Sequence, residues 1–256
     1  MTVRRLPVPR LPGLGTATLP PGAEHHARVL RLSAGEPVVL FDGSGREAEA
    51  VIRSADGDRV ECEVTALRQR RERGPSVTLL QALPKGDKLE AIVRMATELG
   101  VRAIHLVRAA RSVARPDPAR ADRRAARLAR VAEEAARQSG RATVPPVHPA
   151  ASLEQVLDRA PGEVRRLAFV PDAEAGLEAV LRGGGDAWVL IGPEGGFGPE
   201  ERALLQRRGW VEVSLGPGVL RVETAAPVAL ALVLHRLGGL RPATPAVGGD
   251  GDGPAS

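Results

Sequence analysis

Trp188-Val-Leu-Ile191-Gly-Pro-Glu-Gly-Gly-Phe-Gly198-Pro-Glu-Glu201 passes from an unbroken apolar run, through a loop rich in glycine, to a proline followed by two acids. The apolar run reads as a buried strand. Proline and acids in a first turn are favoured at a helix start, so the segment is a strand, a backbone-exposing loop and a helix. Working upstream, Leu167 to Val170 reads as a strand and Ala173 to Leu181 as a helix. Working downstream, Val211 to Leu215 is a strand, Gly216-Pro-Gly-Val-Leu-Arg221 a second glycine loop, and Glu223 to Leu237 a long apolar helix. The same alternation extends back to Val77. A strand over Val77 to Leu83 precedes a helix carrying Leu89, Ile92, Val93, Ala96 and Leu99 and stopping at Gly100. Val101 to Val107 is a strand, Ala119 to Gln138 an Ala/Arg helix, and Ser152 caps a helix to about Arg159. Strands alternating with helices imply an α/β fold with a mostly parallel sheet covered on both faces. Ligands of such sheets bind at the carboxyl ends of strands, where both glycine loops lie.

The first seventy residues have a different texture. Residues 1 to 20 hold Arg4, Arg5 and Arg10, no acids and several prolines, which predicts an extended arm rather than a regular element. A short helix over Glu24 to Leu32 follows, then strands over Pro37 to Phe41, Glu47 to Arg53 and Val60 to Leu67. Asp42-Gly-Ser-Gly45 and Asp56-Gly-Asp58 separate the strands, so antiparallel hairpins and a small β-barrel or meander are expected. Polar Arg68 to Gly74 is the candidate linker, which divides the chain into residues 1–73, 74–240 and a Gly/Pro/Ala/Asp-rich tail at 241–256.

Composition narrows the function classes. No apolar run among the 256 residues reaches the roughly 18 needed to span a bilayer, the start lacks a secretory apolar stretch, and one cysteine cannot close an intrachain disulfide; a cytoplasmic protein is expected. Five scattered histidines and Cys62 give no metal-ligand spacing. A net charge of +5 favours polyanionic partners, although 34 of 36 basic residues being arginine looks equally like codon bias. The row Arg120, Arg123, Arg127 and Arg130 along one helix reads either as an RNA contact or as a solvated face.

Gly192, Gly195, Gly196 and Gly198 do not fit the dinucleotide spacing and no P-loop lysine follows them, so this loop alone reads as a nucleotide-like site or as a tight connection. The second loop, of the same small and backbone-exposing character and ending in Arg221 and Glu223 at a helix mouth, favours a site.

These two loops together resemble the paired signature of the RsmE family, the bacterial 16S rRNA uridine-N3 methyltransferases of the SPOUT superfamily. His25-His26 with Val29-Leu-Arg-Leu32, Leu40-Phe-Asp-Gly43, Gln81 to Lys88, Ala96 to Val101, Arg111-Ser-Val113 and Glu134 to Arg141 resemble further family blocks in the same order. Where the family has Arg-Ile-Leu-Arg this chain reads Gly218-Val-Leu-Arg221. The resemblance implies an N-terminal PUA-like β-barrel, a SPOUT-type parallel sheet with a C-terminal trefoil knot, a homodimer, and S-adenosylmethionine bound by Leu190, Ile191, Gly192, Gly195, Gly196, Leu215, Gly216, Val219 and Leu220. It implies the small ribosomal subunit and its 16S rRNA as partners, met by Arg4, Arg5, His26, Arg31, Lys85, Lys88, Arg111 and Arg141, and neither a membrane nor a metal.

Methylation at N3 of uracil needs a nitrogen that is mostly protonated at neutral pH, and each pKa unit of mismatch costs about 1.4 kcal/mol. A proton acceptor, a cation for the developing anion, or both are therefore required. Arg221 is the candidate cation. Glu223 and Glu194 are candidate bases that the sequence does not separate, and each also reads as a local ordering residue. Lys85 and Lys88, in a chain that otherwise uses arginine, read as phosphate contacts or as a solvated helix start. His25 and His26 read as RNA contacts or packing more readily than as a catalytic pair. Two other functions stand beside this one: a non-catalytic rRNA-binding assembly factor, and a SPOUT enzyme that methylates a ribose 2′-hydroxyl.

Overall fold

Eleven strands and seven helices are arranged around two sheets in the computed structural model, which describes residues 3–55, 59–70, 74–112 and 118–240. The expected turn at 56–58, part of the linker at 71–73, Val113, the side chain of Arg120 and the tail at 241–256 lie outside the described residues.

The N-terminal sheet holds β1 (Arg4–Pro7), β2 (Gly15–Thr18), β3 (Pro37–Phe41), β4 (Arg46–Ser54) and β5 (Glu61–Gln69), in the order β1-β3-β4-β5-β2, with helix α1 (Pro21–Val29) between β2 and β3. β3, β4 and β5 form the expected antiparallel meander, with every second residue of β4 buried from Ala48 to Ile52. The expected arm is instead two edge strands. β1 pairs in parallel with β3, setting Leu6 against Leu40, and β2 pairs antiparallel with β5. Both partners lie more than twenty residues away, so local composition gave no sign of the pairing. Leu6, Leu40, Ile52 and Cys62 form the fully buried centre of this half.

The second sheet is wholly parallel. It contains β6 (Val77–Ala82), β7 (Ala103–Arg108), β8 (Val147–Ser152), β9 (Arg165–Phe169), β10 (Ala187–Ile191) and β11 (Val211–Val213), ordered β11-β9-β10-β6-β7-β8. Its helices are α2 (Lys88–Leu99), α3 (Pro118–Gln138), α4 (Leu153–Leu157), α5 (Leu177–Val180), α6 (Pro199–Arg207) and α7 (Val222–Leu237). Side chains alternate across the sheet. Val77, Leu79, Val189 and Ile191 face α2, α3 and α7, whereas Leu80, Ala82, Trp188 and Leu190 face the opposite layer with α4 and α6. Central strands β6 and β10 are buried on both faces, which is why β10 is an unbroken apolar run and β6 departs from one only at the buried Thr78 and Gln81.

Two elements differ from expectation. The helix expected over Ala173 to Leu181 is one turn, because Gly176 is extended and bridges Ser214 beside β11. β8, whose Val-His-Pro-Ala-Ala-Ser has little strand propensity, was not expected and is held by pairing with β7.

The two halves meet along a continuous seam. Ser44 and Thr143 form an antiparallel bridge, Gly45 N–H donates to Ala142 O (3.2 Å), and Val144 N–H donates to Gly43 O (3.1 Å).

Candidate functional site

β9 and β10 lie side by side, and at their carboxyl ends opens a cleft of about 360 Å³, within the range of small-ligand sites. Phe169, Val170 and Pro171 form one wall and Ile191 to Glu194 another. Val219 to Glu223, entering α7, close the third side. The two glycine loops, distant in sequence, thus face one opening.

The first loop is braced from several directions. Glu194 accepts from the backbone N–H of Lys85 (3.1 and 3.2 Å to its two oxygens) and from Lys88 Nζ (2.9 Å). Arg111 Nη1 donates to Gly195 O (2.7 Å), and Glu201 accepts from Gly198 N–H (2.9 Å) and from Ala110 N–H (2.8 Å). Gly192 is tightly placed, since a Cβ there would come 3.0 Å from the Phe197 ring and the ring would have to shift. Gly196 takes φ +64°, a left-handed turn suited to glycine. The loop's glycines thus bring its backbone close to the cleft, beside the side chains of Glu194 and Phe197.

The second loop is held lightly. Ser214 Oγ donates to Gly216 O (3.0 Å) and accepts from Gly216 N–H (3.2 Å), after which Gly216 to Arg221 are exposed and Val219 keeps 80% of its surface in solvent. Arg221 is the N-cap of α7 and stands on the cleft lip.

Lys88, at the start of α2, joins the two loops. Its Nζ lies 2.9 Å from Glu194 Oε1 and 3.2 Å from Glu223 Oε2. Hydrogen bonds to Glu194 and then to Glu223 push the lysine's pKa up. Burial pushes Glu194 up, but Lys88 and the backbone N–H groups of Glu194 and Lys85 outweigh it, so its carboxyl stays below the usual range. Glu223 is held low by its own backbone N–H, with Lys88 and the charge of Arg221 adding to the effect. Both carboxylates are ionised at neutral pH and are weak bases.

Of the residues expected around a cofactor, Ile191, Gly192, Gly196, Val219 and Leu220 line the cleft. Gly195 supports it through Arg111, Leu190 is buried in the sheet on the opposite face, and Leu215 packs toward the core, with Gly216 turning the chain at φ +122°. The residues expected to meet RNA separate into two groups. Arg4, Arg31 and Lys85 have exposed side chains, and Arg111 is exposed while reaching back to Gly195. The others serve the fold. Arg141 is 9% exposed and donates to the carbonyls of Thr97 (2.9 Å) and Val101 (3.0 Å), capping the end of α2 from inside. Arg5 pairs with Glu47 (2.7 Å) and lies over the Phe41 ring. His26 meets Arg137 across the seam (2.7 Å), and burial followed by that guanidinium lowers its pKa, so it stays neutral. Lys88 is taken up by its two glutamates. Sequence reasoning missed Phe169, Val170 and Pro171. The signal available for them was their place at a strand's carboxyl end, next to the strand that leads into the first loop.

Among the described residues no cluster of His, Cys, Asp or Glu could hold a metal, and no helix is long and apolar enough to cross a membrane.

The RNA methyltransferase domain family matches residues 71–234, and the RNA methyltransferase PUA domain family matches residues 24–65. The chain is 39% identical over 233 residues to the ribosomal RNA small subunit methyltransferase E of Mycobacterium bovis, covering 88% of this chain and 89% of that one. It is 33% identical to the Bacillus subtilis protein of the same name, over 83% and 86% of the two chains. A crystal structure of ribosomal RNA small subunit methyltransferase E from Neisseria gonorrhoeae, bound to S-adenosyl methionine, superposes with a TM-score of 0.83 at 31% identity, covering 91% of this chain and 98% of that one.

Proposed function

The chain belongs to the RNA methyltransferase family that includes the small subunit methyltransferases E, and from that membership we propose that it methylates N3 of one uridine in 16S rRNA. The observation that carries the reading is the meeting of two glycine loops, at residues 192–198 and 216–221, around one cleft with a guanidinium at its lip.

The residues present fit S-adenosylmethionine. A cleft walled by apolar side chains and by backbone, where a Cβ at Gly192 would fill the approach to Phe197, suits a flat heterocycle and its ribose. When bound, that cofactor supplies a methyl group on a sulfonium. The chain's own residues do the rest. Ile191, Gly192, Gly196, Val219 and Leu220 hold the donor by shape and main-chain groups. Lys88, tied to Glu194 and Glu223, keeps the two loops at a fixed separation, which is the property a near-attack geometry depends on. Arg221, on the cleft lip, is the cation for an entering uracil carbonyl oxygen, and its charge, with the positive end of α7 beside it, stabilises the anion that forms as N3 loses its proton. Glu194 and Glu223, held ionised by Lys88, act as positioning groups rather than as the proton acceptor, and the proton leaves to solvent.

We further infer a homodimer, supported by Val219, Leu220 and Leu232 standing exposed around the second loop and α7. The trefoil knot, the domain boundary near residue 73, the cytoplasmic setting and RNA contacts from Arg4, Lys85 and Arg111 belong to the same proposal. Nucleoside mass spectrometry of small subunits incubated with the protein and S-adenosylmethionine tests it. The expected product is N3-methyluridine. A 2′-O-methylated nucleoside, or no product with the cofactor demonstrably bound, would refute the proposed reaction.

A further inference from the structure

Lys88 ties the first loop to the second across the cleft, and Arg111 and Glu201 brace the first loop. None of these bonds touches the third wall, Phe169 to Pro171. That wall is reached from α6. Arg202 donates from Nη1 to Asp172 Oδ2 (2.8 Å), the carboxylate directly after Pro171, and from Nε to Glu212 Oε1 (2.9 Å), while Nη2 takes the second Glu212 oxygen. Its main-chain N–H donates to Gly198 O (3.0 Å), where the first loop ends.

Each partner sits beside one wall of the cleft. Gly198, the N-cap of α6, closes the first loop, and Asp172 follows the wall that ends at Pro171. Glu212 lies within β11, two residues before Ser214, whose Oγ donates to Gly216 O (3.0 Å) in the second loop and stands 3.4 Å from Pro171 O. One residue therefore contacts the three segments that carry the three walls. The arrangement needs a planar fork, because two bonds to Glu212 leave a further N–H aimed at Asp172, a set that the point charge of a lysine does not reproduce. With side-chain exposures of 34% for Arg202 and 70% for Asp172, this pair lies too far in solvent to add much to global stability. What it supplies is spacing.

We propose that Arg202 is a positioning residue that sets the spacing of the three cleft walls around the cofactor, acting through Asp172 and Glu212 and touching no reactant itself. This rests on the S-adenosylmethionine reading above and adds the element that joins its walls. A purely electrostatic role has the opposite signature. S-adenosylmethionine carries one more positive charge than S-adenosylhomocysteine, so a field effect would make loss of the Arg202 charge strengthen, and loss of the Asp172 charge weaken, binding of the first ligand more than of the second. Loss of spacing weakens both ligands in both variants.

The test uses the full chain with Arg202→Met, Arg202→Lys, Asp172→Asn and the double variant Arg202→Met with Asp172→Asn, measuring calorimetric affinity for both ligands together with Tm. Arg202→Met is expected to bind each ligand about fivefold more weakly and Asp172→Asn about threefold. The double variant should lie within about twofold of Arg202→Met, because the two side chains act as one unit. Arg202→Lys keeps the charge and loses the fork, so it should stay about threefold weaker than the parent protein. Tm should fall by no more than roughly 4 °C in any variant. Unchanged affinity would overturn the proposal, as would additive losses in the double variant, full recovery in Arg202→Lys, or effects of opposite sign on S-adenosylmethionine. A larger fall in Tm would make Arg202 a structural residue and overturn it equally. Failure of the parent protein to bind either ligand would instead strike the underlying reading, and the parent titration by itself separates the two failures.

Discussion

The two glycine loops look alike in sequence and behave oppositely in structure. The first, Gly192 to Gly198, is tied to two other segments, through Glu194 to Lys85 and Lys88 and through Gly195 to Arg111, and a Cβ at Gly192 or Gly195 would crowd a close neighbour. The second, Gly216 to Arg221, is exposed along its length, and a Cβ at Gly218 would meet nothing within 4 Å. One loop is finished by this chain alone. The other offers Val219, Leu220 and Arg221 to whatever arrives, and in the proposed enzyme those arrivals are cofactor, uridine and a second protomer.

If the exposed loop carries the chemistry, Arg221→Ala should have the largest effect. Loss of a preorganised charge at the developing anion is expected to lower the single-turnover rate by about 10²- to 10³-fold, with calorimetric affinity for S-adenosylhomocysteine within threefold. A comparable loss of cofactor affinity would make Arg221 a binding residue instead. Next in size, Gly192→Ala should weaken cofactor binding about tenfold, because the added methyl meets the Phe197 ring and the braced loop has little freedom to retreat. Full affinity in that variant would mean the first loop is less rigid than its contacts imply.

Lys88→Met removes the tie between the loops and should weaken cofactor binding roughly three- to tenfold, a modest effect because the pairs are about one-third exposed. It should also change the pH dependence. Glu194 and Glu223 lie below the ordinary carboxylate range, so the order they confer is fully present above the unperturbed pKa of roughly 4.3 and is lost only as pH falls through their depressed values. Without the lysine the two carboxylates face each other unneutralised, and the loss should begin at higher pH, readable by cofactor titration between pH 4 and 7. The smallest effect is expected from Gly218→Ala. The site is open and its φ is not left-handed, so affinity and rate should stay within twofold, which would also bear on the arginine that the family carries there.

The sequence disclosed whatever depends on short-range pattern. Alternation along β4, the helical spacing from Leu89 to Leu99, and the Ser152 cap with its reciprocal Gln155 bond all involve neighbours along the chain. The glycine loops were legible for the same reason, since their residue types report backbone demands directly. What escaped reading depends on distant partners. Lys88 reaches a carboxylate 106 residues away, Arg141 finds two carbonyls about 40 residues back, and β1 pairs across a helix and a strand. A basic residue's partners are written in the fold, so a surface arginine and one buried against carbonyls read identically in the sequence.

The seam at Ser44 and Thr143 locks the turn between β3 and β4 to the segment after α3 by main-chain bonds, with Arg70 adding a side-chain bond to Gly140 O (3.3 Å). Such a joint resists bending, so in the proposed enzyme the N-terminal sheet and the cleft would act as a fixed calliper. A loose strand of RNA would have to be coiled to that span at an entropic cost, whereas an assembled ribosomal particle presents it already set. Selectivity for mature subunits over naked transcript would then follow from stiffness alone, without any side chain that reads a base.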